Sequence, residues 1–263
     1  MSRFEARRDR LRKAISRLPA DGFLVTSFTN VTYLTGFTGD SSYLWLTPDN
    51  AVVISDGRYT QQLQEECPGL DVEIRRVGVD IAEFTSGIIS ASRVGRMAIE
   101  GDAMSVAFCG ELTRRLPQVE LLQTSNLVER LREIKDREEI GAIRGAIDIA
   151  ERAFAVIRAG LRPELTEKQI AYDLEHQIRM FGGSGCSFTP IVGVGPRGAL
   201  PHATLSDCCI GESPFVLIDW GARARLYMSD LTRVLVTGRI PPKLQGVYEV
   251  VLKACLLYTS PSP

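Results

Sequence analysis

Phe215-Val-Leu-Ile-Asp219-Trp-Gly-Ala-Arg-Ala-Arg-Leu-Tyr-Met-Ser-Asp230-Leu-Thr-Arg-Val-Leu-Val236 carries two aspartates eleven residues apart, each inside an otherwise apolar, strand-like run. Aspartate is depleted in strands, and a carboxylate is costly to bury unless something pairs with it. Read as a hairpin turning at Ala224 and Arg225, the stretch sets Asp219 directly opposite Asp230. Directly opposed strand residues hold their Cβ atoms about 4.5 to 5.5 Å apart on one face, which suits carboxylates clamping two cations about 3.5 to 4 Å apart. The expectation is a metal site. In the alternative, Asp219 ends a strand and Asp230 caps a turn; Ser229-Asp230-Leu231-Thr232 running straight on into Val234-Leu-Val236 speaks against it. Ala-Arg lacks the Gly or Asn that tight hairpin turns favour, so a bulge that shifts the register stays open.

Upstream of the ribbon the pattern is helical. Asp136-Arg-Glu-Glu139 reads as an N-cap with its acid three residues on, and Ile140, Ile143, Ile147, Ala150, Phe154 and Ile157 follow at spacings of three and four. Gly160 to Pro163 breaks that helix, and Thr166-Glu-Lys-Gln169 opens a second one carrying Ile170, Leu174, Ile178 and Phe181. Gly182 to Gly185 ends it. Strand-like stretches at 188–194, 215–221 and 227–236 then predict an antiparallel sheet covered by those helices.

The first third alternates helix and strand signals. An amphipathic opening helix holds Phe4, Leu11, Ile15 and Leu18. Strands are expected at 23–27, 43–47, 51–55, 72–74 and 97–100, and helices at 60–66, 81–91 and 106–116. This is an α/β domain. Polar Gln123-Thr-Ser-Asn126 marks the expected boundary, because long helices come after it.

Bulk properties exclude several roles. The 263 residues carry a net charge of −1, so no global field attracts a polyanion, and the basic cluster from Arg3 to Arg17 reads as helix decoration. Nucleic acid is not an expected partner. No apolar run approaches a membrane span, and the basic N-terminus reaches no apolar leader core, so the expected compartment is the cytoplasm. The six cysteines lack metal-ligand spacing and are read as reduced thiols.

Other motifs carry less. Gly193-Val-Gly195-Pro-Arg-Gly198 matches a dinucleotide fingerprint with Asp219 about 20 residues beyond, but that fingerprint must open a helix, and Pro196 and Pro201 break one. The chain has only two histidines. His176 falls within the second amphipathic helix and reads as a helix-surface or half-buried residue. His202, in the irregular Gly-Ala-Leu-Pro201-His202-Ala-Thr, stands on a loop of the kind that carries binding and catalytic groups. Cys186 and Ser187 show no nucleophile signature.

With these residues in view, the chain resembles the creatinase and aminopeptidase P family of metallopeptidases, whose catalytic domain is the pita-bread fold. Asn30-Val-Thr-Tyr-Leu-Thr-Gly-Phe37 with Ile54-Ser-Asp-Gly-Arg-Tyr59 is similar to the family's creatinase-type N-terminal domain. Ile134-Lys-Asp136, Cys186-Ser-Phe188 and Pro201-His202 carry the resemblance through the middle of the chain. Ile218-Asp-Trp-Gly221 and Tyr227-Met-Ser-Asp-Leu-Thr-Arg233 carry it to the metal motif. The resemblance implies an α/β creatinase-type domain over 1–130, followed over 131–254 by the first half of an α+β pita-bread catalytic domain.

It further implies that Asp219 and Asp230 are metal ligands, that Asp230 bridges two divalent cations, and that His202 contacts substrate; Thr232, by its place in the same strand as Asp230, is expected to support the site. The cations would be Mn²⁺ first, with Co²⁺ or Zn²⁺ as alternatives. The implied reaction is cleavage between an N-terminal residue and a following proline. An X-Pro dipeptidase, a non-catalytic pita-bread binding protein and metal-free creatinase-like hydrolysis are the rivals, and a homo-oligomer is expected. The family's later His and two Glu ligands have no counterpart in this chain. An inactive fragment is therefore expected, with residues 255–263 a foreign tail at which the helix begun by Val247-Tyr-Glu-Val-Val-Leu-Lys-Ala254 is abandoned. Leu226 stands where the family usually has glycine.

Overall fold

The computed structural model describes residues 2–259 and divides into two compact units, Met1–Ile134 and Lys135–Pro263. In the first unit, six strands form one sheet: β1 (Gly22–Val25), β2 (Tyr43–Leu46), β3 (Ala51–Asp56), β4 (Asp71–Arg75), β5 (Arg96–Glu100) and β6 (Glu120–Thr124). Their order is β4-β3-β2-β1-β5-β6, antiparallel at β1/β2 and β2/β3 and parallel elsewhere. Consecutive residues of β1 serve opposite faces. Phe23 and Val25 join a core with Leu11 of α1 (Arg3–Ile15), Leu34 of α2 (Phe28–Thr35) and Leu63 of α3 (Thr60–Glu66). Leu24 joins another with Ile89 of α4 (Ile81–Ala91) and Leu112 of α5 (Val106–Arg115). A sheet covered on both faces needs unbroken apolar strands rather than alternating ones, as β1 and β2 have.

Three elements of this unit differ from the sequence reading. Helix α2 covers Asn30 to Thr35, and its amide end is held by buried Glu100, which accepts from the backbone N–H groups of Thr26 (2.6 Å) and Ser27 (2.7 Å). The Gln123–Asn126 stretch, expected as a boundary, carries regular structure. Its first half belongs to β6, paired with β5, and Asn126 caps α6 (Leu127–Glu133), whose Leu127 and Leu131 pack on the first core. Polarity misleads there because β6 is an edge strand.

The second unit is built on α7 (Arg137–Ala159) and α8 (Glu167–Met180), and both expected capping boxes form, at Asp136/Glu139 and Thr166/Gln169. The ribbon and its neighbours make two three-stranded sheets. One comprises β7 (Gly185–Cys186), β10 (Ala222–Ala224) and β11 (Tyr227–Met228) in the order β11-β10-β7. The other comprises β8 (Ile191–Val194), β9 (Phe215–Trp220) and β12 (Leu231–Val236) in the order β12-β9-β8, antiparallel throughout. Along β9 and β10, Val216, Ile218, Trp220, Ala222 and Ala224 are buried with residues of α7 and α8. Trp220 stacks on Phe154 at 4.3 Å and donates its indole N–H to the Ala150 carbonyl at 3.0 Å. Strand alternation then turns Asp219 to the opposite face.

A last helix, α9, runs Pro242–Thr259. The expectation that it stops at Cys255 is corrected: Cys255-Leu-Leu-Tyr258 contains no helix breaker, and the next proline is Pro261. The end of the expected tail, residues 260–263, lies outside the described residues.

Candidate active site

The ribbon turns one residue later than the sequence reading places it. Arg225 (φ 50°) and Leu226 (φ 69°) both adopt the left-handed conformation, as the two central residues of a type I′ turn must, and Ala224 pairs with Tyr227. The register is set by that turn. Arg223 faces Met228, Trp220 faces Leu231, and Asp219 faces Thr232 rather than Asp230. The directly opposed acid pair is therefore corrected to a diagonal one. Because the shift is two residues, Asp230 stays on the face it was expected to share with Asp219, at a diagonal position with about 7 to 8 Å between backbones.

The carboxylates interact. Asp219 is half-buried, and burial lifts its pKa above the ordinary carboxylate range; the negative charge of Asp230 adds to the rise, while a hydrogen bond from the Thr232 hydroxyl (2.9 Å to Oδ1) opposes it. Among the ion pairs of the described residues, none involves Asp219 or Asp230. Two acids that repel each other without a cationic side chain fit a divalent cation by charge, and their oxygens suit hard or borderline metals. They fit as part of a donor set. Among the described residues no cluster of three or more His, Cys, Asp or Glu side chains could hold a metal ion.

Gly221 makes the spacing possible. A Cβ at this position would lie 1.8 Å from the Ser229 carbonyl oxygen and 2.1 Å from Ser187 Oγ. Ser187 donates to that same carbonyl at 2.8 Å, and Ser229 Oγ accepts from the Ala222 N–H at 3.0 Å, so serines on both sides lock the ribbon where the two sheets meet.

His202 is exposed in the loop between β8 and β9, where Arg197 and residues 200–206 line a cleft of about 560 Å³. Neither aspartate lines that cleft. The loop is anchored by Glu167, the first residue of α8, which is fully buried. One carboxylate oxygen accepts from the Val194 N–H (3.0 Å) and Arg197 Nε (2.8 Å), and the other from the Ser206 N–H (2.9 Å) and hydroxyl (2.7 Å). Sequence reasoning saw Glu167 only as a residue within a capping box. Its partners lie 27 to 39 positions away, and no local pattern announces them. His176, by contrast, sits exposed on α8.

The glycines of the rejected dinucleotide motif serve the same loop. Gly193 to Gly198 opens a 3₁₀ turn, not an α-helix, and a Cβ on Gly193 would meet the backbone of Gly198 at 2.7 Å. These glycines permit close approach of chain to chain instead of chain to phosphate.

Both units match known protein domains. Residues 7–134 match the creatinase/prolidase N-terminal domain, and residues 141–259 match metallopeptidase family M24. An uncharacterized peptidase of Bacillus subtilis (strain 168), YqhT, is 34% identical over 246 residues, covering 94% of this chain and 69% of its own length. The chain belongs to metallopeptidase family M24. Within M24, an Xaa-Pro dipeptidase of Pyrococcus horikoshii is 28% identical over 235 residues, covering 89% of this chain and 65% of that relative. A solved Xaa-Pro dipeptidase from Bacillus anthracis superposes with a TM-score of 0.90 at 31% identity, covering 96% of this chain and 70% of that structure. An X-Pro aminopeptidase from Thermotoga maritima gives 0.82 at 29%, covering 92% and 70%. The α/β creatinase-type domain followed by a pita-bread M24 domain is the fold of this chain. It spans about two thirds of the length of these M24 relatives.

Proposed function

We propose that this chain is the larger part of a metal-dependent peptidase that cleaves the bond between a residue and a following proline, with Asp219 and Asp230 as cation ligands and His202 as a substrate contact. The observation that carries the reading is the acid pair: two carboxylates on one face of a ribbon, one of them half-buried with a raised pKa, and no ion pair to offset them among the described residues. A bound divalent cation would act as a Lewis acid toward the scissile carbonyl and make water a nucleophile near neutral pH. Thr232 orients Asp219 through its hydroxyl. A proline imide lacks an N–H and has a fixed φ, so a site built for it positions the substrate without a backbone donor at that residue.

Two aspartates hold no two-cation centre by themselves. In this reading the remaining donors come from the part of the relatives that the chain does not span, and the chain alone is inactive; the coverage of 69% and 70% supports this. Mn²⁺ is the preferred ion and the cytoplasm the setting, consistent with Cys67, Cys109, Cys186, Cys208 and Cys209 being free thiols. Among the described residues, no helix is long and apolar enough to cross a membrane.

Aminopeptidase and dipeptidase versions break the same bond and differ in whether the substrate continues beyond the proline. A full-length gene product containing this chain, assayed for metal content and for cleavage of Xaa-Pro dipeptides against longer Xaa-Pro peptides, separates them. Full activity in Asp230→Asn, or activity in metal-free protein, overturns the proposal.

A further inference from the structure

We propose that Glu167 is the positioning residue for His202: one buried carboxylate fastens both ends of the loop over 195–205 and so fixes where the imidazole stands. Its first oxygen holds the start of the loop, through the Val194 N–H and Arg197, and its second holds the end, through Ser206. Arg197 then crosses the loop to donate to the Thr204 carbonyl. His202 is exposed and makes no hydrogen bond among the described residues, so its place is set by the backbone that carries it.

An acid in the first turn of α8 would favour the helix dipole from an exposed position. Complete burial costs far more than that gain unless every lone pair is used, and here the two oxygens receive four hydrogen bonds from two separate chain segments. The arrangement is that of a clasp rather than of a cap. The short approach of Gly193 to Gly198 folds the first half of the loop onto β8, leaving the 200–205 tip held by the second oxygen, through Ser206, and by Arg197. The functional part of the inference rests on the reading of His202 as a substrate contact; the clasp does not.

The test uses the chain as it is. With only two histidines, the imidazole spectrum holds two sets of signals, and loss of the His176 set in a His176→Gln control assigns them. In Glu167→Gln, an amide N–H₂ faces donors in place of an oxygen. Amide exchange over 195–206 is expected to accelerate at least tenfold, with the His202 Cε1–H signal moving to its random-coil position. Exchange in α7 should stay within twofold and the His176 signal should not move. Glu167→Asp should recover part of the wild-type signal. If Glu167→Gln does not fold, Arg197→Lys decides, because Arg197 is one-third exposed and its loss leaves the backbone bonds to Glu167 in place; faster exchange over 198–204 alone is expected. Unchanged exchange in both variants, or an equal rise through α7, overturns the clasp. Failure of Mn²⁺ to bind the full-length gene product would instead overturn the metal reading and leave the clasp intact.

Discussion

Thr232, not Asp230, stands directly across from Asp219, and its hydroxyl donates a 2.9 Å hydrogen bond to Asp219 Oδ1. The carboxylate is thereby oriented by a neutral donor, with Asp230 as its other polar neighbour. Outer partners of this type are worth about 10- to 100-fold in metal affinity. In the full-length gene product, Thr232→Val should weaken Mn²⁺ binding about tenfold, and Asp230→Asn should remove it, as read by calorimetric titration. Mn²⁺ at a hundred times its dissociation constant should stabilise that full-length protein by about 2.7 kcal/mol, visible as a rise in Tm that a chelator reverses. An equal rise in Asp219→Asn would show the cation binding elsewhere.

Leu226 occupies a left-handed position at φ 69° and is exposed. A Cβ in that conformation meets the following carbonyl and costs about 1 to 2 kcal/mol, whereas glycine is free of the penalty but loses more backbone entropy on folding. The net expectation for Leu226→Gly is a gain of about 1 kcal/mol, measured by urea unfolding. A loss would mean that the Leu226 side chain makes contacts worth more than the strain.

That turn also shows where the sequence ceases to be legible. Helices α7 and α8 are readable to the residue at their starts, because a capping box and its helix lie within one short window: Asp136 with Glu139, Thr166 with Gln169. The ribbon is readable as a ribbon, and the shared face of Asp219 and Asp230 survives a register error of two because strand side chains alternate with period two. The register itself depends on which pair, 224 and 225 or 225 and 226, takes the left-handed turn, and neither pair holds the glycine or asparagine that would announce it. The edge strand β6 escapes a reading by pattern because an edge needs little apolar character, and the clasp at Glu167 escapes it because partners from two distant segments meet only after folding.

Glu167 gives the pH dependence. Burial pushes its pKa up, but the Arg197 guanidinium, the Val194 N–H and Ser206 outweigh burial and hold it below the ordinary range. Arg197 and the Cys208 thiol are the titratable groups that interact with it. A carboxylate whose pKa is depressed on folding binds fewer protons folded than unfolded, so its stabilisation is complete above the ordinary value of 4.5 and is lost as pH falls through the folded value. The second unit should therefore lose stability below about pH 4.5. Glu167→Gln should flatten that acid limb while costing about 3 kcal/mol at pH 7, the low end for a broken buried pair because Arg197 can turn to solvent. An acid limb of unchanged slope in the variant would assign it to other carboxylates.

Gly221 sits where β9 gives way to β10, between residues whose pairings, Trp220 with Leu231 and Arg223 with Met228, belong to a single register. The atoms that a new methyl would strike are the Ser229 carbonyl oxygen, at 1.8 Å, and Ser187 Oγ, at 2.1 Å. Ser187 can rotate away, at the loss of its bond to Ser229, but the carbonyl belongs to the paired strand and moves only if the ribbon opens. Gly221→Ala should then cost about 3 kcal/mol, the upper range for overpacking, and because Asp230 is the residue after Ser229, it should also separate the two carboxylates. In the full-length gene product, Mn²⁺ affinity is expected to fall at temperatures where far-ultraviolet circular dichroism still reports a folded protein. Metal binding lost only in step with unfolding would show that Gly221 serves the ribbon's stability and not the spacing of its acids.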